Sequence, residues 1–351
     1  MRECKLCKKT SPFISKIINI CGDCVRKNFD IVKDKIFEIH RTLRRKDGLP
    51  EEIPSNPKGK KCRICLNGCS IPEGEIGFCG VYENRNEKLV PKSGNWKKAY
   101  VYWYYDPLPT NCCATWVCPG REEYGFFNLA VFYCSCNFNC LFCQNWVFRQ
   151  KMNRTSLNTV EALLEAVNDK VKCICFFGGD PIPQVVHALI FAKKALKRYK
   201  VRICWETNGA VSRPLLAQMA KLSLESGGCI KVDLKCWTEE MSFFLSGVSN
   251  KGQKENFKYL VNFHKLRPDP PFLIASTLLV PGYVDMVEVE GIARFIASLD
   301  PTIPWTLLGF HPDFYLSDLP PTPRSYAFAC LEIAKKAGIK ELHIGNMHLL
   351  S

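Results

Sequence analysis

The sequence predicts an α/β fold, a parallel sheet of βα units behind a cysteine-rich front. Three observations predict it. From about residue 126 onward short apolar runs alternate with amphipathic stretches. Most of those runs end in polar, glycine-bearing turns. The first 125 residues instead hold cysteines in closely spaced pairs. The chain divides accordingly into residues 1–57, 58–125 and 126–351.

At 351 residues the chain can bury a full core, and its hydrophobic fraction of 47% is ordinary for a globular protein. No uninterrupted apolar run approaches the ~18 residues of a membrane helix. The opening Met-Arg-Glu-Cys-Lys-Leu-Cys-Lys-Lys carries charge where a secretory signal would be apolar, so a cytoplasmic protein with no membrane partner is expected. Twenty-one cysteines in a chain of this size point to metal or catalysis in reducing surroundings rather than to a disulfide scaffold. A formal charge of +14 is compatible with nucleic acid, an acidic protein or phosphate-bearing substrates, and equally with a solvated basic surface.

The front begins with Cys4-x2-Cys7 and Cys21-x2-Cys24, two pairs that can close a tetrahedral thiolate site, and is read as a zinc ribbon. Residues 28–43 follow, with Ile31, Val32, Ile36, Phe37 and Ile39 spaced for one helical face docked on the larger body. Pro50, Pro54 and Pro57 mark a linker. Cys62, Cys65, Cys69 and Cys79, with glycines between them, suit zinc or an auxiliary iron–sulfur cluster. Cys112, Cys113 and Cys118 form a looser group, as readily explained by packing as by ligation. Residues 100–105, Tyr-Val-Tyr-Trp-Tyr-Tyr, read as an aromatic strand. Buried strands are then expected at 131–134, 173–177, 201–205, 229–234, 273–280, 305–308 and 342–344. Helices are expected between most of them, among them 159–167, 185–196, 213–226 and 325–336. A parallel sheet of this kind, open or closed into a barrel, gathers ligands at the carboxyl ends of its strands.

Four candidate site segments fall at those ends. Cys136, Cys140 and Cys143 follow the first strand at C-x3-C-x2-C spacing, three corners of a cubane cluster with the fourth iron open, or a zinc knuckle. Phe176-Phe177 runs into Gly178-Gly179-Asp180-Pro181, where glycines allow a ligand close to the backbone and proline fixes the exit. Glu206 and Asn208 in Trp-Glu-Thr-Asn-Gly, and Asp233 and Lys235 in Asp-Leu-Lys, repeat the pattern. A surface or capping acid at Glu206 and an Asp233–Lys235 salt bridge are the plain alternatives; otherwise these groups hold ribose hydroxyls and a carboxylate.

The three-cysteine loop, with Phe142 before its last cysteine, resembles the signature of radical S-adenosylmethionine enzymes. The following turns, Leu-Ser-Gly-Val-Ser at 245–249, Leu-Val-Pro-Gly at 279–282 and the run ending at His311 are similar in order to pyruvate formate-lyase activating enzyme. The Cys62–Cys79 segment, Phe-His-Pro-Asp at 310–313, Leu-Pro-Pro-Thr-Pro at 319–323 and Gly345-Asn346 are closer to the radical enzyme of the AmmeMemoRadiSam system. Where the activases carry an arginine upstream of Val-Pro-Gly, this chain has Ser276.

The resemblance implies a partial (β/α)6-type barrel and a [4Fe–4S] cluster on Cys136, Cys140 and Cys143. It also implies S-adenosylmethionine held by the glycine-rich turn with Asp180 and Pro181, and by Asp233, Lys235 and His311. One electron, from a donor such as ferredoxin or flavodoxin, then yields a 5′-deoxyadenosyl radical that takes hydrogen from a substrate. The basic, cysteine-rich front suggests a macromolecular substrate, protein or nucleic acid. A glycyl-radical enzyme activase is the narrower version; a non-catalytic zinc or iron–sulfur protein binding nucleic acid is the competing class. His40, His187 and His264 read as surface or packing residues, and His343 and His348 stay open.

Overall fold

The structure is a computed structural model that describes residues 1–152 and 157–351. Its centre is a nine-stranded sheet. In chain order the strands are β1 (Lys98–Pro107), β2 (Phe127–Tyr133), β3 (Leu157–Thr159), β4 (Val171–Gly178), β5 (Arg202–Thr207), β6 (Ile230–Asp233), β7 (Leu273–Leu279), β8 (Trp305–Gly309) and β9 (Leu342–Gly345). They lie side by side as β9-β8-β7-β6-β5-β4-β2-β1-β3. Strand β2 and strands β4 to β9 are mutually parallel, while β1 pairs antiparallel with β2 and β3 antiparallel with the start of β1.

The connections from β2 onward are helical: α3 (Phe148–Lys151) and α4 (Val160–Glu165), α5 (Val185–Leu196), α6 (Arg213–Ser226), then α7 (Glu239–Ser246) with α8 (Lys251–His264), α9 (Met286–Leu299) and α10 (Arg324–Lys336). This is a run of βα units with a final strand, with the cysteine-rich region in front. Each parallel pairing needs a crossover, which is why the helices punctuate the strands. The expected strands lie within two residues of the observed ones, except at the start of the first, where β2 begins at Phe127.

The two faces of the sheet differ chemically. Ile174, Phe176, Ile203, Trp205, Val232, Leu273 and Leu307 point to the helices and form one buried cluster with them. Their alternate neighbours Cys173, Cys175, Cys204 and Cys229 form a second cluster with Leu108 and Ala114, from the segment joining β1 to β2. That segment crosses the inner face. The Trp116 ring stacks on His343 of β9 with centroids 5.3 Å apart, and its Nε1 donates to Thr306 Oγ1 of β8 at 3.0 Å.

The front packs on this body. Helix α1 (Gly22–Lys27) presses Gly22 against Gly282, where an added Cβ would lie 2.4 Å from the Gly282 carbonyl oxygen. Arg26 pairs with Asp285 at 2.5 Å at the start of α9. Helix α2 (Phe29–Lys46) buries Val32, Ile36, His40 and Leu43. The expected face included Ile31, which is 68% exposed: the buried stripe runs 32-36-40-43, one turn apart at each step, and Ile31 falls beside it.

Candidate active site

The loop after β2 is tied down from several directions. Asn139 N and Leu141 N donate to Ser246 O and Leu245 O at the end of α7, both at 2.9 Å. Asn208 Nδ2 donates to Asn137 Oδ1 at 2.8 Å, and Tyr315 N donates to Leu141 O at 3.0 Å. Asn139 bridges His40 Nδ1, at 2.8 Å, and Arg149 Nη2, which donates to Asn139 Oδ1 at 2.6 Å. So fixed, Cys136, Cys140 and Cys143 all face a cavity of about 850 Å³ at the carboxyl ends of the strands. Burial pushes all three thiols up, Cys143 to about 12. Such thiols stay protonated until a metal replaces the proton.

Gly178, Gly179, Asp180, Asn208, Asp233, Lys235 and Phe142 line the same cavity. Gly178 has φ +118°, and a Cβ there would sit 2.6 Å from Tyr133 N, so the turn passes β2 at a distance that only glycine permits. Asp180 is buried and its carboxyl rises to about 6 for that reason. Its oxygens already accept from Ile182 N (2.9 Å), Asn208 N (2.7 Å) and Thr207 Oγ1 (3.0 Å). Asp180 therefore fastens two strand ends together. Pro181 is buried behind it.

Lys235 pairs with Asp233 Oδ2 and lies 5.4 Å from the Phe142 ring centroid. Although burial lowers it, Asp233 and Cys140 hold its ammonium above the usual lysine range. Asp233 Oδ1 is buried with no partner. Three thiols, a lysine and an aspartate lining one cavity fit an iron–sulfur cluster with an amino-acid-like ligand beside it.

Two expected residues lie differently. Glu206 lines the cavity, but its carboxylate turns to Lys231 Nζ at 3.1 Å and to Cys112 Sγ at 3.3 Å. His311 is exposed and is not among the residues lining the cavity. Beyond Gly309 the chain buries Phe310, and it is Asp313 that meets the loop, accepting from Trp146 Nε1 at 2.9 Å. His40, read as a packing or surface residue, is buried against the loop. His343 lines the cavity, with Trp116, Asn346 and Met347.

Two further cysteine groups assemble in front. The sulfurs of Cys4, Cys7, Cys21 and Cys24 all lie within 4.8 Å of one another, with Cys7 Sγ 3.7 Å from Cys21 Sγ. Metal–sulfur bonds of about 2.3 Å in a tetrahedron give sulfur–sulfur edges of about 3.8 Å. Cys62, Cys65, Cys69 and Cys79 line a narrow pocket with Phe78 and Tyr82. They do not meet the 4.8 Å spacing, which among the described residues is met elsewhere only by Cys112, Cys113 and Glu206.

Residues 131–296 match the sequence model of the Radical SAM superfamily. An uncharacterized protein of Methanocaldococcus jannaschii is 26% identical over 82% of this chain and 81% of its own length. A second protein of that organism, named as a glycyl-radical enzyme activating enzyme, is 28% identical over 50% of this chain and 64% of its own. Among solved structures, Streptococcus suis SuiB bound to S-adenosylmethionine aligns with a TM-score of 0.45 and 15% identity over 65% of this chain, which spans about half (53%) of that one. A domain of pyruvate-formate lyase-activating enzyme from Bacteroides vulgatus aligns with a TM-score of 0.41 and 17% identity over 50% of this chain and 99% of that one.

Proposed function

We propose, from the premise that this chain is a radical SAM enzyme with its radical SAM domain at residues 131–296, that it cleaves S-adenosylmethionine to act on a macromolecular substrate. The observation that carries the reading is the convergence of three buried thiols and the Asp233–Lys235 pair on one cavity. Cys136, Cys140 and Cys143 hold the cluster. The bound cluster and S-adenosylmethionine together supply one-electron, hydrogen-abstracting chemistry. Asp233 would receive the ligand's ammonium and Lys235 its carboxylate, orienting it by charge-assisted hydrogen bonds. Asp180 keeps the glycine turn and Asn208 at their spacing, and Phe142 shields the Lys235 side of the cavity from water.

The charge of +14 suits an acidic electron donor such as a ferredoxin or flavodoxin, and an acidic stretch of substrate. The cytoplasm, where cysteines stay reduced, is the fitting compartment. The activating-enzyme name of one relative favours the narrower reading in which the substrate is a glycyl-radical enzyme. The test is anaerobic reconstitution with iron and sulfide, reduction by dithionite, and chromatography for 5′-deoxyadenosine. Its absence from protein with an assembled cluster overturns the proposal.

Lys235→Met is expected to weaken S-adenosylmethionine binding about tenfold or more, the loss of a charge-assisted hydrogen bond worth roughly 1.5–3 kcal/mol. Anaerobic calorimetric titration measures it, and unchanged affinity refutes the role. We assign zinc to Cys4, Cys7, Cys21 and Cys24, where the spacing supports a single ion, and zinc or an auxiliary cluster to Cys62, Cys65, Cys69 and Cys79. Cys21→Ser is expected to remove about one zinc per chain and to lower the melting temperature, because so small a segment depends on its metal for order. Equal zinc content in variant and parent refutes that assignment.

A further inference from the structure

The inner face of the sheet holds a second chamber, of about 310 Å³, under the segment that joins β1 to β2. A water molecule occupies only about 30 Å³ in the liquid, so the space exceeds what one ion needs. Six cysteines stand in its wall, beside Asp106, Arg202 and Arg267 among others. Cys173 and Cys175 of β4, Cys204 of β5 and Cys229 before β6 meet Cys112 and Cys118 of the covering segment, and Cys113 lies within 4.8 Å of both Cys112 and Glu206. Cys204 and Cys229 belong to one buried cluster with Cys173 and Cys175.

At the centre stands Lys231, only 3% exposed, its Nζ 3.1 Å from Cys112 Sγ, 3.1 Å from Cys175 Sγ and 3.1 Å from Glu206 Oε1. A buried ammonium needs anionic partners. One carboxylate supplies one charge; the other groups in reach are thiols, which become anions when a metal binds them. Neither the glycine-rich turn nor the three-cysteine loop uses any of these cysteines.

We propose that this chamber binds a further iron–sulfur cluster, distinct from the catalytic one, with ligands drawn from Cys112, Cys113, Cys175, Cys204 and Cys229 and with Lys231 as its counter-charge. Soft thiolates in this number select iron–sulfur clusters, zinc or copper(I). The size of the chamber and the thiols beyond the Cys112–Cys113–Glu206 trio favour a cluster over a single ion. Because Cys112, Glu206 and Lys231 line both cavities, the second centre sits beside the first rather than remote from it.

The test compares the full chain, reconstituted anaerobically with iron and sulfide, with Cys112→Ser/Cys113→Ser. The double variant is expected to lose about four irons and four sulfides per chain, while the paramagnetic signal that shifts on adding S-adenosylmethionine persists. Unchanged iron, or zinc in place of iron in the chamber, overturns the proposal. Should the double variant fail to fold, the Cys136→Ala/Cys140→Ala/Cys143→Ala chain carries the test. Its remaining iron must give a signal indifferent to S-adenosylmethionine and must fall on adding Cys112→Ser, and iron that does not fall overturns the proposal. Failure of the functional reading would look different: full iron content with no response to S-adenosylmethionine.

Discussion

Cys140→Ala is expected to bring 5′-deoxyadenosine formation down to the level of a protein-free control, with the chain still folded. The loop offers three thiols to a cluster of four irons, with no cysteine to spare, so removing one leaves two attachments. Cys140 is the buried middle ligand, its thiol donating to Ser246 Oγ at 3.4 Å, and its Cβ–Sγ bond is aimed by the backbone bonds that Asn139 and Leu141 make to the end of α7. Those bonds do not involve the sulfur. Loss of one atom from the wall of an open cavity costs far less than the 2–5 kcal/mol of emptying a closed core site, so the melting curve should barely move. Chromatography after reduction, with iron analysis of the same samples, checks both halves. Product from the variant at parental rate would remove Cys140 from the ligand set; a collapsed melting transition would mean that the thiol is structural.

The sheet was legible because its strands are short, apolar and rich in β-branched and aromatic residues, and because each is followed by a helical repeat of different period. The same legibility hid the cysteine chamber. A parallel strand covered on both faces reads as a continuous apolar run, and cysteine counts as apolar, so Cys173-Ile174-Cys175 looked like core. The period-two placing of its cysteines was the available signal. What no local pattern carries is the partner: Cys112 meets Glu206 from ninety-four residues away. Glu206 was therefore expected at the rim without the lysine and thiols to which it turns. His311 shows the converse error of position. It follows a strand end as expected, yet Phe310 takes the buried place beside it and the chain carries His311 outward. His40 was hidden because a histidine on an amphipathic helix is ordinarily a packing residue; only the fold brings it to Asn139.

That placement of His40 makes the cluster loop sensitive to acid. Burial holds the imidazole neutral, lowering its pKa from 6.5 to about 4, and the neighbouring guanidinium groups of Arg44 and Arg149 add to the effect. The ring is close to Phe244 O, 3.0 Å from Nε2, and to Asn139 Nδ2, 2.8 Å from Nδ1, so protonation would place a donor against the Asn139 amide. A depressed histidine pKa means that the unfolded chain binds the proton first. The stabilisation is therefore present above pH 6.5 and is lost as pH falls toward 4. At pH 5 the loss is about 2 kcal/mol, each pKa unit being worth about 1.4 kcal/mol. His40→Leu removes this term together with the hydrogen bonds. At pH 7.5 the variant should be less stable by about 1–3 kcal/mol, the cost of leaving buried polar groups unpaired. At pH 5 the deficit should shrink by about 2 kcal/mol, since only the parent carries a group that acid penalises. Metal loss at low pH affects both chains alike and cancels in the difference. Urea unfolding of both at the two pH values measures it, and a deficit that stays constant would mean that His40 does not titrate between those limits.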